Sequence, residues 1–433
     1  MPTTPILSPK DTLTAFRKDP IAFLRAISDE SINDHVEFRL ARRRFVLLRD
    51  PDLIEDLLVN QADSFEKGPG LLRSHPILGQ GLLTAPTDGH IEYKRPLQPA
   101  FRRQRADEHV ASIAAIVDSW SRNLQPGITN LHAKMMGLTL TVVSETLFDS
   151  SVTPDAATVS SAIECALRNL YGGFLPTGKA SPGCPHSLAS AQTMLEDAVG
   201  TLLKHRRGAA PVDRDFVSLL LNAHPHPLSA ERIRDEAITI FLAGHESVAN
   251  CLSWTWYLLA KHPDVEKQLH AEIDAIVPRG YLPASDDLAK LVFTKQVLLE
   301  SMRMYPPAWM VSREAMRDVS LGTLDILAGD VVVAAQSVTH RDARYYPNPD
   351  TFDPDRWQDA TASARPRYSY FPFGGGPRIC IGEQFAWREL LSVVAVTASR
   401  WKFAITPETS GEWEPLITLR PKNGMSLEAQ LRS

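Results

Sequence analysis

Cysteine is scarce in this chain, with four cysteines among 433 residues. Cys165, Cys184 and Cys251 lack the spacing of a zinc site or of a disulfide framework, so we interpret them as ordinary thiols. An excess of positive charge is also missing, since 46 lysines and arginines stand against 51 aspartates and glutamates and give a net charge of −5. That balance argues against general binding to nucleic acid.

Long apolar runs are missing from the N-terminus, which contains neither the apolar core of a signal peptide nor a stretch of about 20 apolar residues. The most apolar segment of the chain, residues 237–260, carries polar side chains in its middle, which a bilayer would penalise. These side chains are His245, Glu246, Ser247, Asn250 and Ser253. We therefore expect a cytoplasmic protein without a membrane anchor.

Linkers, repeats and charge blocks that would divide the chain are missing too, so the sequence predicts one large domain. We assign residues 1–18 to an N-terminal lead-in and residues 19–433 to this domain. The glycine pairs Gly68/Gly70 and Gly79/Gly81 lack the third glycine and the strand context of a dinucleotide fingerprint. The sequence therefore indicates no flavin or nicotinamide domain.

Helical periodicity dominates the chain, and strand patterns are short and few, which predicts a mainly α-helical protein with a small β region. The longest pattern, over about residues 229–261, starts at the capping residue Ser229 and stops before Pro263. At about 48 Å, such a helix would cross a whole domain. Residues 36–48 predict a hairpin, and residues 331–335 predict a strand. Further helices are predicted over residues 50–60, 105–124, 138–148, 187–206, 263–276 and 291–305.

The segment FPFGGGPRICIGEQFA, residues 371–386, places Cys380 between a glycine-rich turn and the start of a helix. Glycine permits backbone conformations closed to other residues and lets the chain pass close to a flat partner. Arg378 supplies a permanent cation, and the amides at a helix N-terminus favour a negatively charged sulfur. The segment therefore predicts a thiolate that binds a metal, against the alternative of a buried structural thiol.

This segment resembles the haem-binding loop of the cytochrome P450 family, whose fixed positions correspond to Phe373, Gly376, Arg378, Cys380 and Gly382. The resemblance implies that Cys380 is the axial thiolate ligand of the iron of haem b and that Arg378 pairs with a haem propionate. It also implies the family's fold, a single large domain with haem between the long central helix and the cysteine loop.

A second motif, AGHES at residues 243–247, lies on the long helix and resembles the family's oxygen-activation motif. By this resemblance, Ala243 and Gly244 make room for dioxygen, Glu246 delivers protons, and Ser247 holds oxygen and water by hydrogen bonds. The family more often has threonine at the position of Ser247. The alternative is a helix-interior serine whose hydroxyl bonds back to a carbonyl one turn earlier.

Two further segments resemble parts of the family that surround the haem. Glu300 and Arg303 lie three residues apart and can pair on one helix face. In the family such a pair joins a downstream arginine, here Arg356 of FDPDRW, in a buried structural network under the haem loop.

The segment GHIEYKRPLQPAF, residues 89–101, resembles the helix that meets the haem propionates. There the resemblance assigns propionate contacts to His90 and to either Lys94 or Arg95. It also assigns one to Arg313 further along the chain. A solvated basic surface is the alternative for each.

Together the motifs imply a haem-thiolate monooxygenase that takes two electrons from a separate protein, activates O2 and oxidises a small hydrophobic molecule of secondary metabolism. The donor would be a ferredoxin or flavodoxin with its reductase, and the enzyme would be a monomer. A basic docking surface would bind the donor on the cysteine side of the haem. It consists of Lys94, Arg95, Arg102, Arg103 and Arg105. A peroxide-driven peroxygenase of the same fold and a non-enzymatic haem sensor or carrier are the alternatives.

The substrate pocket, by the same resemblance, draws mostly on aliphatic and aromatic residues, and none at positions 308–311 can neutralise a charge. Burying an unpaired charge costs more than a few methylenes return at about 0.8 kcal/mol each. We therefore expect a compact, mainly hydrocarbon substrate such as a terpenoid, with at most one acidic group held at the pocket mouth by Arg73. A steroid or a fatty acid is the alternative. The pocket residues are Phe241, Ala308, Trp309, Met310, Val311, Ile417 and Thr418.

Overall fold

The computed structural model describes residues 9–150, 153–171, 184–207, 216–222 and 228–432. Within these ranges the chain is mainly helical with a small β region, as the sequence predicts. Of the helices so described, none combines the length and the apolar character needed to span a bilayer.

The α-helices of the described residues are α1 (Pro9–Lys18), α2 (Pro20–Asp29), α3 (Pro51–Glu55), α4 (Pro69–Leu72), α5 (His75–Leu78), α6 (His90–Lys94), α7 (Arg103–Glu108), α8 (Val110–Asn123), α9 (Leu131–Thr146), α10 (Ala156–Tyr171), α11 (Leu188–Arg207), α12 (Phe216–Leu221), α13 (Ala230–Lys261), α14 (Pro263–Ile276), α15 (Ser285–Leu288), α16 (Val292–Met304), α17 (Gln336–Thr339), α18 (Asp359–Ser363) and α19 (Glu383–Ala398).

The β-strands of the same residues are β1 (His35–Leu40), β2 (Arg43–Leu48), β3 (Phe65–Lys67), β4 (Gly127–Asn130), β5 (Val311–Ala315), β6 (Val319–Leu321), β7 (Leu324–Ile326), β8 (Val331–Ala334), β9 (Trp401–Ile405), β10 (Trp413–Pro415), β11 (Leu419–Pro421) and β12 (Ser426–Leu431). One sheet has the order β1-β2-β8-β5-β3 and a second the order β4-β12-β9, while β6 with β7 and β10 with β11 form two ribbons. β2 and β8 run parallel, whereas β5 lies antiparallel to both β8 and β3.

Helix α13 has the bounds that the sequence predicts. The Ser229 hydroxyl accepts a hydrogen bond from the N–H of Arg232 at 3.1 Å and caps the start, and Pro263 opens α14 directly after the end. The helix packs against α9, α16 and α19. Trp254 on α13 is fully buried and stacks on Tyr305 with 4.1 Å between the ring centroids. Polar groups in the middle of this helix therefore lie inside the protein.

Other predicted elements are present with shifted bounds. The predicted hairpin is β1 and β2, with His35 opposite Leu48, and the predicted strand is β8. The helix predicted over residues 138–148 instead begins at Leu131 in α9, because Asn130 accepts the N–H of Ala133 at 3.2 Å and caps two further turns. The sequence does not predict α10.

The predicted N-terminal lead-in includes α1, which packs against α2 and β1. Phe16 of α1 meets Phe23 of α2 edge to face with 5.9 Å between the ring centroids. The domain boundary after residue 18 stays a prediction.

Candidate functional site

Cys380 lies between a short 3₁₀ turn, Gly376–Arg378, and the first turn of α19. Gly376 has a φ of 64°, and a β-carbon there would collide with the carbonyl oxygen of Leu58, so the position requires glycine. The N–H of Cys380 donates to the carbonyl of Phe373 at 2.9 Å and closes the loop. The thiol faces a large cavity.

The groups around the Cys380 sulfur shift the pKa of its thiol in opposite directions. Burial among protein atoms raises the pKa of the thiol to about 11, and the Glu383 carboxylate adds to the rise. The backbone N–H groups of Gly382 and Glu383 and the ammonium of Lys94 lower that pKa. The protein alone therefore favours the thiol, and a coordinated metal ion would release its proton.

A buried charge network lies behind this loop. Glu300 Oε1 accepts from Nε of Arg356 at 2.8 Å, and Glu300 Oε2 accepts from Nε of Arg303 at 2.8 Å. The indole N–H of Trp357 adds a further donor to Oε2 at 2.8 Å. The structure thus brings together Glu300, Arg303 and Arg356.

His340 connects this network to the cysteine loop. Nη1 of Arg303 donates to the backbone carbonyl of His340 at 3.0 Å, and the ring Nε2 of His340 accepts the N–H of Phe371 at 3.0 Å. Burial, and then the charge of Arg303, lowers the pKa of His340 to about 3. The imidazole is therefore neutral and can accept. No motif in the sequence points to His340, because its role depends on a contact between distant segments.

A basic cluster, defined as Lys67, His90, Arg313 and Arg378, lines one part of the cavity. Lys67 of β3 and Arg313 of β5 are cross-strand partners. Burial first, and then repulsion by the neighbouring cations, lowers the pKa of Lys67 to about 6, that of Arg313 to about 9 and that of His90 to about 3. Arg378 pairs with Glu66 at 3.3 Å.

The basic cluster fits a group with two carboxylates. Among the described residues, His90 Nδ1 and Arg378 Nη1 are buried without a hydrogen-bond partner. Buried polar atoms are normally paired, and clustered cations need an anion between them. The propionates of a haem would supply both. Lys67 is absent from the sequence prediction, because a lysine beside a turn normally indicates solvent.

The sequence leaves open whether Lys94 or Arg95 contacts a propionate, and the structure places these two side chains differently. Lys94 donates from Nζ to the carbonyls of Pro377 at 2.9 Å and Ile379 at 3.2 Å, both in the cysteine loop, and it lines the cavity. Arg95 is exposed on the surface.

One face of α13 lines the cavity opposite the cysteine loop. Ile240, Ala243, Gly244 and Ser247 belong to this face, as their spacing of three and four residues requires. The Ser247 hydroxyl donates to the carbonyl of Ala243 at 2.8 Å. The back-bonded serine of the alternative interpretation is therefore present, and the same side chain lines the cavity.

Glu246 is buried beside this face, with 5% of its surface exposed. Its Oε1 accepts the hydroxyl proton of Thr418 at 2.7 Å. Burial raises the pKa of Glu246, and the charge of Arg420 opposes that rise. His245, the neighbouring titratable group, points into the core, where its Nδ1 lies 2.6 Å from the carbonyl of Phe241.

The cavity has a volume of about 1610 Å³. Ligand pockets usually measure about 300–1,000 Å³, so this cavity has room for a flat macrocycle together with a small substrate. Arg73 lines the cavity, as predicted. Six of the predicted pocket residues also line it: Ala308, Trp309, Met310, Val311, Ile417 and Thr418.

Phe241 is a correction to the predicted pocket. It is fully buried and packs on Phe148 and His245, with ring centroids 6.0 and 5.4 Å apart. The face of α13 defined by Ala243 and Ser247 turns the side chain at position 241 toward the opposite side. Further lining residues missed by the sequence analysis, Ile163 and Leu167, lie on α10.

The segment over the cavity next to α5 is fixed to the start of α13. Asp235 accepts the N–H of Gln80 at 2.9 Å, and Glu236 accepts the N–H of Leu82 at 2.8 Å. A β-carbon at Gly81 would collide with the hydroxyl of Thr239. The backbone of the loop therefore lies directly against side chains of α13.

Comparison with known proteins identifies the family. The family model Cytochrome P450 matches residues 27–427, so the chain belongs to the cytochrome P450 family. The haem domain of cytochrome P450DA superposes with a TM-score of 0.81 at 22% identity, over 97% of this chain and 94% of that one. A mutant of the same domain gives 0.82 at 23% identity, over 96% and 93%. These likenesses confirm the predicted fold.

The chain is also similar to curated bacterial enzymes. It is 32% identical to cyclooctatin synthase of Streptomyces melanosporofaciens, over 95% of this chain and 90% of that enzyme. It is 32% identical to cyclooctat-9-en-7-ol 5-monooxygenase of the same organism, over 92% and 88%. It is 31% identical to pentalenene oxygenase of Streptomyces avermitilis, over 96% and 93%. The chain is accordingly a cytochrome P450 monooxygenase with a haem iron cofactor.

Proposed function

We propose that this enzyme oxidises a compact, mainly hydrocarbon substrate of the terpenoid class, using haem b held between α13 and the cysteine loop. Cys380 would be the axial ligand, and the basic cluster together with Lys94 would hold the two propionates. The observation that carries the proposal is the cavity itself, which has a thiol on one side and mostly apolar residues around the remainder. Its basic side has buried nitrogen atoms without partners among the described residues. When bound, haem would supply the oxygen-activating chemistry of the family.

Two side chains of α13 would handle protons on the opposite side of the cavity. Ser247 would hold water by accepting a hydrogen bond at its hydroxyl oxygen, because its own proton is donated to the carbonyl of Ala243. Glu246, whose pKa is raised by burial, would exchange a proton with water in the cavity. Ala243, with its small side chain, leaves the space that such water needs. Gly244 lets α13 lie close to Val143 of α9.

The terpenoid assignment is supported by the lining and by the relatives. Ala308, Met310, Val311 and Ile417 offer contact area and no charge. The names of the similar enzymes denote an alkene, pentalenene, and an alkenol, cyclooctat-9-en-7-ol. Steroids and fatty acids are the substrates to test next.

Spectral titration of the haem tests the substrate class. We expect a neutral cyclic terpene to displace haem-bound water, a carboxylated analogue to do so more weakly or equally, and a small polar aromatic acid to fail. Displacement by the polar acid alone would refute the hydrocarbon pocket.

The ligand assignment is tested with carbon monoxide. The reduced protein should show the strongly red-shifted band of thiolate ligation, and Cys380→Ser should lose it. Cys184→Ser is the matched control and should keep it. If Cys380→Ser retains the band, Cys380 is not the ligand.

The electrons would come from a ferredoxin or flavodoxin with its reductase, docking on the cysteine side. Three arginines of the predicted basic docking surface are exposed: Arg95, Arg102 and Arg103. Lys94 instead binds the cysteine loop, and Arg105 pairs with Glu108 at 2.6 Å. Arg103 lies 3.9 Å from Asp107 but stays largely exposed. The exposed arginines therefore form the surface proposed for docking. We also propose a cytoplasmic monomer.

A further inference from the structure

Glu246 belongs to a chain of three hydrogen-bonding side chains. Thr418 lies just before β11 and donates its hydroxyl proton to Glu246 Oε1 at 2.7 Å. The same hydroxyl oxygen accepts from Nδ2 of Asn250 at 3.0 Å. Asn250 is fully buried and lies one turn after Glu246 on α13. The three side chains are therefore held by two elements that pack on each other.

The glutamate and Ser247 have different partners in this arrangement. Consecutive residues of a helix point about 100° apart, so they do not face each other. Ser247 donates to Ala243, and the Glu246 carboxyl instead turns toward Thr418. The group that fixes this acid thus comes from the C-terminal part of the chain.

The direction of the hydrogen bonds follows from what each group can do. A hydroxyl has one proton to donate and can accept two more bonds. Because the amide Nδ2 of Asn250 can only donate, the single proton of Thr418 is directed to Glu246. This pattern suits an ionised carboxylate, which only accepts.

One atom remains unused in that pattern. Oδ1 of Asn250 is buried without a hydrogen-bond partner among the described residues. If the amide turns over, Oδ1 can accept the proton of Thr418, and the freed hydroxyl oxygen can accept a proton from a protonated Glu246. The hydrogen bonds then run in the reverse direction, and Nδ2 of Asn250 takes the place of Oδ1 as the amide atom without a partner among the described residues.

We propose that Thr418 is a positioning residue which, with Asn250, holds the Glu246 carboxyl in one place in both of its charge states. Thr418 and Asn250 stay neutral throughout, and Glu246 gains or loses one proton, which it exchanges with water of the cavity. The inference rests on the proposed role of Glu246 as the proton-delivering acid.

The charged groups around this chain favour a carboxyl that can change its state. Arg420, two residues after Thr418, is buried, with Nη2 3.8 Å from Glu164 Oε2. The other oxygen of Glu164 pairs with Arg168 at 3.0 Å. Burial favours the neutral form of Glu246 and Arg420 favours the ionised form. Because these two effects oppose each other, hydrogen bonds that can be made to both forms would hold the carboxyl in place whichever form is present.

The test compares Thr418→Val, which keeps the shape and removes the hydroxyl, with Thr418→Ser, which keeps the hydroxyl. In the haem-loaded enzyme, we expect Thr418→Val to lower product per reductant consumed on the order of tenfold, the value of one hydrogen bond. Thr418→Ser should restore most of it. Thr255→Val is the control, since Thr255 is another buried hydroxyl on α13, bonded to Cys251 and Ser301 away from this chain.

A second measurement reads the position of the carboxyl without turnover. Infrared difference spectra should show the protonated Glu246 carbonyl band, identified by its loss in Glu246→Gln, shifted in Thr418→Val and normal in Thr418→Ser. An unshifted band in Thr418→Val, or equal defects in the Val and Ser variants, would overturn the inference. If instead Glu246→Gln couples normally while the band still shifts, the proposed role of Glu246 fails and the positioning by Thr418 stands.

Discussion

The cysteine side of the cavity and the α13 side differ in the donors that hold their buried glutamates. Behind the cysteine loop, both oxygens of Glu300 accept hydrogen bonds from guanidiniums, and His340 joins this network to the loop through the N–H of Phe371. On α13, the donor to Glu246 Oε1 is the neutral hydroxyl of Thr418, at 2.7 Å. Two guanidiniums therefore hold Glu300 behind the thiol, whereas a neutral hydroxyl holds Glu246 on the opposite side.

Breaking the network of the cysteine side should have the largest effect. Glu300→Gln removes the charge that compensates Arg303 and Arg356, so the free energy of unfolding should fall by about 3–5 kcal/mol. Chemical denaturation measures it. Glu92→Gln, an exposed glutamate that also has an arginine three residues on, should change it by less than about 0.5 kcal/mol. Equal effects of the two variants would mean that the network contributes little.

The His340 link should appear as a dependence of stability on pH. Its pKa falls from an ordinary 6.5 to about 3 in the folded protein, so stability is complete above pH 6.5 and is lost as the unfolded chain takes up the proton below it. His340→Gln keeps an acceptor for Phe371 but cannot titrate. Its stability curve should be flatter below pH 6.5 by up to about 1.4 kcal/mol per pH unit. The exposed His75→Gln should reproduce the parent curve, and a His340→Gln curve that does so too would contradict the link.

On the α13 side, Ser247→Ala should leave haem binding and stability unchanged and affect coupling. Without the hydroxyl, proton delivery is poorly directed, and product per reductant should fall on the order of tenfold, with hydrogen peroxide or water formed instead. Ser247→Thr should keep the coupling of the parent. Unchanged coupling in Ser247→Ala would remove this residue from the mechanism.

The smallest effect concerns the outer surface of the cysteine side. Arg102→Glu should slow electron transfer from an acidic ferredoxin by about threefold at low ionic strength, and the difference should shrink as salt is added. Arg39→Glu on the edge strand β1 makes the same charge change elsewhere. A rate that depends on neither arginine nor salt would place the docking surface elsewhere.

The comparison of sides also explains what sequence could predict. The cysteine loop and α13 are local patterns, with glycines, a capping serine and apolar spacing inside one segment, and their elements were predicted correctly. His340, Lys67 and the contact of Thr418 with Glu246 join segments far apart in the chain, so no local pattern contains them. The resemblance places Phe241 in the pocket because it names a region of the helix, whereas the direction of the side chain depends on which face of α13 packs into the core, here against Phe148.

The loop near Gly81 is attached to the start of α13, so the position of one constrains the position of the other. Asp235 and Glu236 accept hydrogen bonds from backbone N–H groups of the loop about three turns before Glu246 and Ser247. A side chain added at position 81 would collide with Thr239 and press on the same helix. The cavity wall near Leu82 and the placement of Glu246 and Ser247 thus depend on one helix.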